Sequence, residues 1–292
     1  MFVFKVAVVG AGVMGGQIAQ TIAAAGELPV LLQDVDAARV DAALTGAREI
    51  TERRAAHAVE RGKADEAQAA ERVARTLALI SATTSYEGFG DVDLVIEAVP
   101  EDLDSKRAVF AELDAVTPGH AILATNTSGL SIDAIADAVS LDRRARVVGM
   151  HFFWPASVMR LVEVVLGVQT SPETAQSAVN FAQQIRKSPI RCSDAPGFVV
   201  NRILGSMNSE LWAHQEETGM APEELDAAMR ASELVPMGPF EVADMVGLDT
   251  MVRVAGDLRA AYGSRFSVHS GMRDLVSAGR LGAKSGKGFY EH

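Results

Sequence analysis

Two groups of residues in this chain have types and spacings that can do chemistry. The first is Gly10-Ala11-Gly12-Val13-Met14-Gly15, with an acidic residue, Asp34, 24 positions after Gly10. Glycines at these three places suit a turn that lets the backbone approach a pyrophosphate and lets a helix pack closely on a strand. The helix that follows turns its free N–H groups toward an anion. Asp34 is placed to accept hydrogen bonds from a ribose diol. The second group is the set of polar residues at the ends of apolar runs: Glu97 to Glu101, Asn126 to Ser128, and His151, with Glu163 twelve residues further on. An imidazole can take and return a proton near neutral pH. A carboxylate on a neighbouring strand would orient the ring. Other readings fit the same residues. His151 also suits a structural histidine, Ser128 a helix N-cap, Glu163 a solvated face, and the glycine motif a turn that holds no nucleotide, or one that holds FAD. No other flavin signature accompanies it.

These residues need elements to position them. Phe2–Val9 reads as a short apolar strand and Val13–Ala25 as a helix. Pro29–Gln33 is a second strand. Asp36–Leu79 is helical and broken near Arg61–Gly62. Val92–Ala98, Ala121–Asn126 and Arg146–Phe152 are strand candidates separated by the helical stretches Ser105–Val116 and Ile132–Ala138. Leu161–Val165 reads as one more strand and Pro172–Arg186 as a helix. Such alternation predicts an α/β domain, a Rossmann-type doubly wound sheet that is mostly parallel and covered on both faces. Ligands then bind at the carboxyl ends of the strands. After Ser193-Asp-Ala-Pro-Gly197 the strand signals stop, and five helical segments follow between Val199 and Ala278, ending in a glycine-rich loop, GAKSGKGFY. The predicted organisation is a dinucleotide-binding domain over 1–193 and an all-helical C-terminal domain over 194–292.

Composition narrows the functions. A net charge of −11 on 292 residues argues against nucleic acid and anionic membrane surfaces as partners. The uncharged run Val6–Gly26 contains five glycines and two glutamines, and changes from strand-like to helix-like midway. A buried βα unit accounts for it better than a membrane span or signal peptide. The single cysteine, Cys192, permits no intrachain disulfide and fits a reducing, cytoplasmic compartment. No cluster with metal-ligand spacing is present, and no metal is expected.

The segments VGAGVMG, VIEAVPED, ATNTSGLSI, GMHFFWP, RLVEVV, DAPGFVVNRIL, VPMGPFEVADMVGLDT and KSGKGFY follow one another along nearly the whole chain. With them the chain closely resembles the L-3-hydroxyacyl-CoA dehydrogenase family, including the 3-hydroxybutyryl-CoA dehydrogenases. The resemblance implies NAD-dependent oxidation of an L-3-hydroxyacyl-CoA to the 3-oxoacyl-CoA, or the reverse, in fatty acid metabolism, by a homodimer. It implies that Gly10, Gly12, Met14, Gly15, Asp34, Glu101, Lys106 and Asn126 contact NAD, with Glu101 and Lys106 on the nicotinamide-ribose side. His151 becomes the base that takes the C3 hydroxyl proton and Glu163 its partner. Ser128 and Asn201 hydrogen-bond the hydroxyl or the developing carbonyl.

The family also carries a helical hairpin that holds cofactor and CoA, and Arg48–Arg75 matches it in place. That segment has seven Arg/Lys against six Asp/Glu, and an ion-paired solvated helix pair fits it equally. Two departures fall where substrate is expected. Trp154 stands where the family usually has Asn, and Ala231–Val235 lacks the usual glycine. Alternatives to this reading are a dehydrogenase of another 3-hydroxy acid and an NAD-binding protein without turnover. The joint presence of Ser128, His151, Glu163 and Asn201 speaks against the latter.

Overall fold

A computed structural model describes residues 2–292, and the chain divides into two units, Met1–Asp194 and Ala195–His292. The first unit is built on an eight-stranded sheet in the order β3-β2-β1-β4-β5-β6-β7-β8. β1 (Val6–Val9) leads into α1 (Val13–Thr21), which runs on as a π-helical turn, Ile22–Gly26. β2 (Val30–Gln33) follows, then the long hairpin of α2 (Ala37–Glu60) and α3 (Glu66–Ala78). The Asp65 side chain caps α3 reciprocally with Gln68, which explains why the helical run restarts there after the Arg61–Gly62 break.

β3 (Ile80–Thr83) returns to the sheet edge, and β4 (Leu94–Glu97), α4 (Leu103–Val116) and β5 (Ile122–Thr125) continue it. Two short helices, α5 (Ile132–Ala136) and α6 (Leu141–Arg144), precede β6 (Val147–Phe152). β7 (Leu161–Leu166), α7 (Pro172–Gln184) and β8 (Ser188–Ser193) close the unit. β1, β2, β4, β5 and β6 are buried along their length, which suits a sheet covered on both faces.

Two strands lie where the sequence shows none. β3 is an edge strand, half exposed, with Ser81 and Thr83 breaking any apolar pattern. β8 is the opposite edge and carries Pro189, a residue that sheets accept mainly at their edges. All pairings are parallel except one: β6 and β7 run antiparallel. That reversal places His151 directly opposite Glu163.

The second unit is helical: α8 (Val200–Thr218), α9 (Pro222–Ala231), α10 (Pro239–Val246), α11 (Leu248–Tyr262) and α12 (Ser270–Ser277). Trp212, Leu225, Phe240, Leu248 and Met272 form its core. Two buried carboxylates secure its last turn. Asp244 accepts the Phe289 and Tyr290 N–H groups and pairs with His292, while Asp226 accepts the Phe240 and Glu241 N–H groups and the Tyr290 hydroxyl. The glycine-rich terminal segment is therefore tied to the helices. Among the described residues no helix is long and apolar enough to cross a membrane.

Candidate active site

The strand ends of the first unit carry the chemistry. His151 and Glu163 occupy one cross-strand pair, with His151 Nδ1 2.8 Å from Glu163 Oε2. Their side chains are 8% and 0% exposed. A carboxylate can only accept, so ionised Glu163 takes the Nδ1 proton as a hydrogen bond and leaves Nε2 as the basic nitrogen. The Phe153 ring lies 4.4 Å from the imidazole, centroid to centroid, and packs one side of it.

The neighbouring strand ends form a connected polar network. Lys106, buried on α4, donates to Glu97 Oε1 at 2.7 Å and lies 3.4 Å from Glu101 Oε2. Glu97 also accepts the Thr125 hydroxyl and the Val99 N–H. Burial pushes the Glu97 carboxyl above its ordinary range, opposed by Lys106 and Thr125. Burial also acts on Glu101, but there Lys106, Thr127 and Ser128 win and hold it below the ordinary range. Glu101 Oε1 accepts three hydrogen bonds, from the Thr127 hydroxyl, the Ser128 N–H and the Ser128 hydroxyl at 3.0 Å. Asn126 Oδ1 accepts the Phe152 N–H, which fastens the loop after β5 to the end of β6. Ser128 and His151 are thus held by adjacent strand ends.

The glycine turn fits a dinucleotide. Gly10 has φ +98° and abuts Ala98, and a Cβ on Gly15 would lie 1.8 Å from the Gly10 carbonyl oxygen. A Cβ on Gly12 would meet nothing within 4 Å, so the space above it is open for a pyrophosphate. No side chain caps α1. Asp34, at the end of β2, accepts the Ala11 and Asp36 N–H groups, one on each oxygen. Each carboxylate oxygen keeps a second lone pair for a ribose hydroxyl. Met14 packs partly against the core below the turn.

The remaining expected residues are placed as follows. Asn201 lies in the first turn of α8, in the second unit. Trp154 follows β6 and is 52% exposed, so its ring is not part of the core. Lys106 is enclosed by Glu97, Glu101 and the Val99 carbonyl. Sequence reasoning misses Thr125 and Thr127. Their hydroxyls fix the two glutamates, and only the phrase TNTS, threonines at a strand end facing acidic residues, hints at that.

Comparison with known proteins gives a consistent result. The family description "3-hydroxyacyl-CoA dehydrogenase, NAD binding domain" matches residues 5–195 and the corresponding C-terminal domain matches 197–292. A 3-hydroxyadipyl-CoA dehydrogenase of Escherichia coli (strain K12) is 41% identical over 98% of this chain, which spans 58% of that longer protein. A 3-hydroxybutyryl-CoA dehydrogenase of Clostridioides difficile is 38% identical over 99% of both chains. The crystal structure of an (S)-3-hydroxybutyryl-CoA dehydrogenase from Ralstonia eutropha superposes with a TM-score of 0.90 at 37% identity, covering 100% of this chain and 99% of that one.

Proposed function

The chain belongs to the 3-hydroxyacyl-CoA dehydrogenase family of NAD-dependent oxidoreductases, and from that premise we propose that it oxidises an L-3-hydroxyacyl-CoA to the 3-oxoacyl-CoA, and the reverse, with His151 as its acid–base residue. The observation that carries the reading is the buried His151–Glu163 pair, aligned by the register of two strands. Glu163 fixes the ring and the tautomer. Nε2 then takes the proton of the C3 hydroxyl, and Glu163 stabilises the imidazolium that results. In the reverse direction the imidazolium returns the proton.

NAD, when bound, supplies the hydride acceptor. Gly10, Gly12, Met14, Gly15 and Asp34 would hold its adenosine and pyrophosphate side, and Glu101 and Asn126 its nicotinamide side. Ser128 is assigned to hydrogen-bond the substrate oxygen, and Glu101 sets the direction of its hydroxyl. Asn201 is assigned the same hydrogen-bonding role by its match to the family motif. Lys106 is a positioning residue for Glu101. General acid–base transfer contributes about 10²–10⁴-fold, and alignment of substrate with cofactor supplies much of the rest.

The helical unit over 194–292 is proposed to carry self-association as a homodimer, for which exposed Ile203 and Leu204 on α8 supply apolar surface. The charge of −11 and the single buried thiol support a cytoplasmic enzyme that acts on neither nucleic acid nor membranes, and the family resemblance implies a place in fatty acid metabolism. A panel of 3-hydroxyacyl-CoA substrates from C4 to C16 with NAD, beside the free acids, tests the reading. Turnover of the thioesters and not the acids is expected. Absence of NADH formation with every thioester would overturn it.

A further inference from the structure

The polar network at the strand ends closes on itself. Thr127 donates its hydroxyl to Glu101 Oε1 at 2.7 Å, and its N–H reaches Thr125 Oγ1 at 3.2 Å. The Thr125 hydroxyl donates to Glu97 Oε2 at 2.6 Å, Lys106 donates to Glu97 Oε1 at 2.7 Å, and Lys106 lies 3.4 Å from Glu101 Oε2. Glu97, Lys106, Thr125 and Thr127 are each at most 1% exposed. Glu101, with its side chain 22% exposed, is the member of this ring that reaches the outside.

Thr127 also holds the loop that follows it. Its Oγ1 accepts the Leu130 N–H at 2.9 Å and the Gly129 N–H at 3.3 Å. A hydroxyl has one proton and two lone pairs. In Thr127 the proton goes to Glu101 and both lone pairs go to the loop, so turning the hydroxyl would break at least one of these bonds. Ser128 sits between the ties, and its N–H and hydroxyl both donate to the same Glu101 oxygen. The far end of the loop is fastened separately, where Asp194 Oδ2 accepts the Ser131 hydroxyl at 2.7 Å and the Asp133 N–H at 3.2 Å. One buried oxygen, Thr127 Oγ1, thus locates both the main chain that carries Ser128 and the carboxylate that the Ser128 hydroxyl meets.

On the basis of the acyl-CoA oxidation assigned to this site, we propose that Thr127 is a positioning residue for the reaction. It is buried away from substrate and cofactor, and it sets where the Ser128 oxygen stands relative to the C3 oxygen of the substrate. Misplacing such a group by about 1 Å can cost about 10²-fold in rate. The glycine turn and Asp34, which hold the other end of NAD, are not tied to Thr127 by these bonds, so the loss falls on kcat more than on the cofactor.

The test is Thr127→Val, which keeps the shape and removes the three bonds made by the hydroxyl, beside Thr127→Ser, which keeps the hydroxyl. Oxidation of L-3-hydroxybutyryl-CoA by NAD is measured at steady state, with a thermal melt on each variant. Thr127→Val is expected to lower kcat about fivefold or more while KM for NAD changes less than about threefold, and Thr127→Ser to recover most of the loss. In a Ser128→Ala background the valine change is expected to cost less than about twofold, because no hydroxyl is left to aim. A smaller loss of kcat, a serine variant no faster than the valine one, or an equal cost with and without Ser128 would overturn the proposal. If the valine variant does not fold, Thr127→Cys, whose thiol is a weak donor and acceptor, takes its place under the same criteria.

Amide hydrogen exchange at Gly129 and Leu130, read without substrate, tests the hub apart from turnover. Exchange about tenfold faster in Thr127→Val than in the parent or Thr127→Ser is expected, and unchanged exchange would overturn the hold on the loop. A parent that turns over no acyl-CoA overturns the assigned oxidation and the role with it, whereas an active parent whose valine variant is equally active overturns the role alone.

Discussion

Replacing Glu163 by Gln isolates what the buried carboxylate contributes. The substitution preserves size and offers an acceptor for the Nδ1 proton at the 2.8 Å position, while it removes the charge and puts an amide donor in place of the other oxygen. A hydrogen bond to a charged partner contributes about 1.5–3 kcal/mol, against about 0.5–1.5 for a neutral one. The difference, about 1.5 kcal/mol, falls on the state in which the imidazole carries the proton. That converts to a loss of about tenfold in kcat for alcohol oxidation.

His151→Ala removes the base itself and should cost about 10²-fold or more with cofactor affinity nearly unchanged. A thermal melt separates a charge effect from a packing defect. The assay is steady-state NADH formation from L-3-hydroxybutyryl-CoA at fixed pH, with the melt run on each variant. A folded Glu163→Gln enzyme within twofold of the parent would refute the electrostatic role.

Four further outcomes are expected. NAD should be preferred to NADP, because Asp34 opposes a 2′-phosphate and the nearby Arg39 lies 3.6 Å from Asp36 in an exposed ion pair; an equal or better kcat/KM with NADP would contradict this. Trp154→Asn should change the ratio of C4 to C10 acyl-CoA rates and raise kcat/KM for acetoacetyl-CoA a few-fold, since a half-exposed indole after β6 gives way to a smaller amide; a folded variant with the ratio within twofold would show that Trp154 does not set specificity. Full-length protein should be dimeric by light scattering at micromolar concentration and a chain ending near Ser193 monomeric or insoluble, whereas a monomeric full-length protein would exclude the assigned interface. Asp244→Asn should lower stability by about 1–3 kcal/mol in a denaturant titration, because its amide turns a donor toward the N–H of Phe289 or Tyr290; an unchanged midpoint would mean that the terminal turn holds without that carboxylate.

The parts of this fold that are legible in the sequence are those with local signals. Gly10 to Gly15 between an apolar run and a helical pattern marks β1 and α1, and Arg61–Gly62 marks the hairpin tip because the chain must turn there. β3 and β8 are not legible. Edge strands face solvent on one side, so Ser81, Thr83, Pro189 and Arg191 are tolerated and the apolar signal is lost. At the site, the residue types of His151 and Glu163 are visible, but their contact depends on a register set by strand pairing rather than by spacing. The enclosure of Lys106 between two glutamates is a tertiary outcome, since nothing near Lys106 in sequence distinguishes it from an exposed helical lysine.

The antiparallel turn of β6 and β7 has an evolutionary consequence. Because main-chain pairing brings His151 and Glu163 together, their alignment is set by strand register, with Phe153 packed on the imidazole, rather than by the seven residues from Trp154 to Arg160 that complete the connection. This connector carries Trp154 and the Ser157 and Met159 carbonyls, so on the proposed function it can change for new acyl groups while His151 and Glu163 stay fixed. Selection can therefore tune substrate choice and chemical step as nearly independent traits, and directed libraries confined to this stretch should recover altered selectivity without first having to rescue turnover.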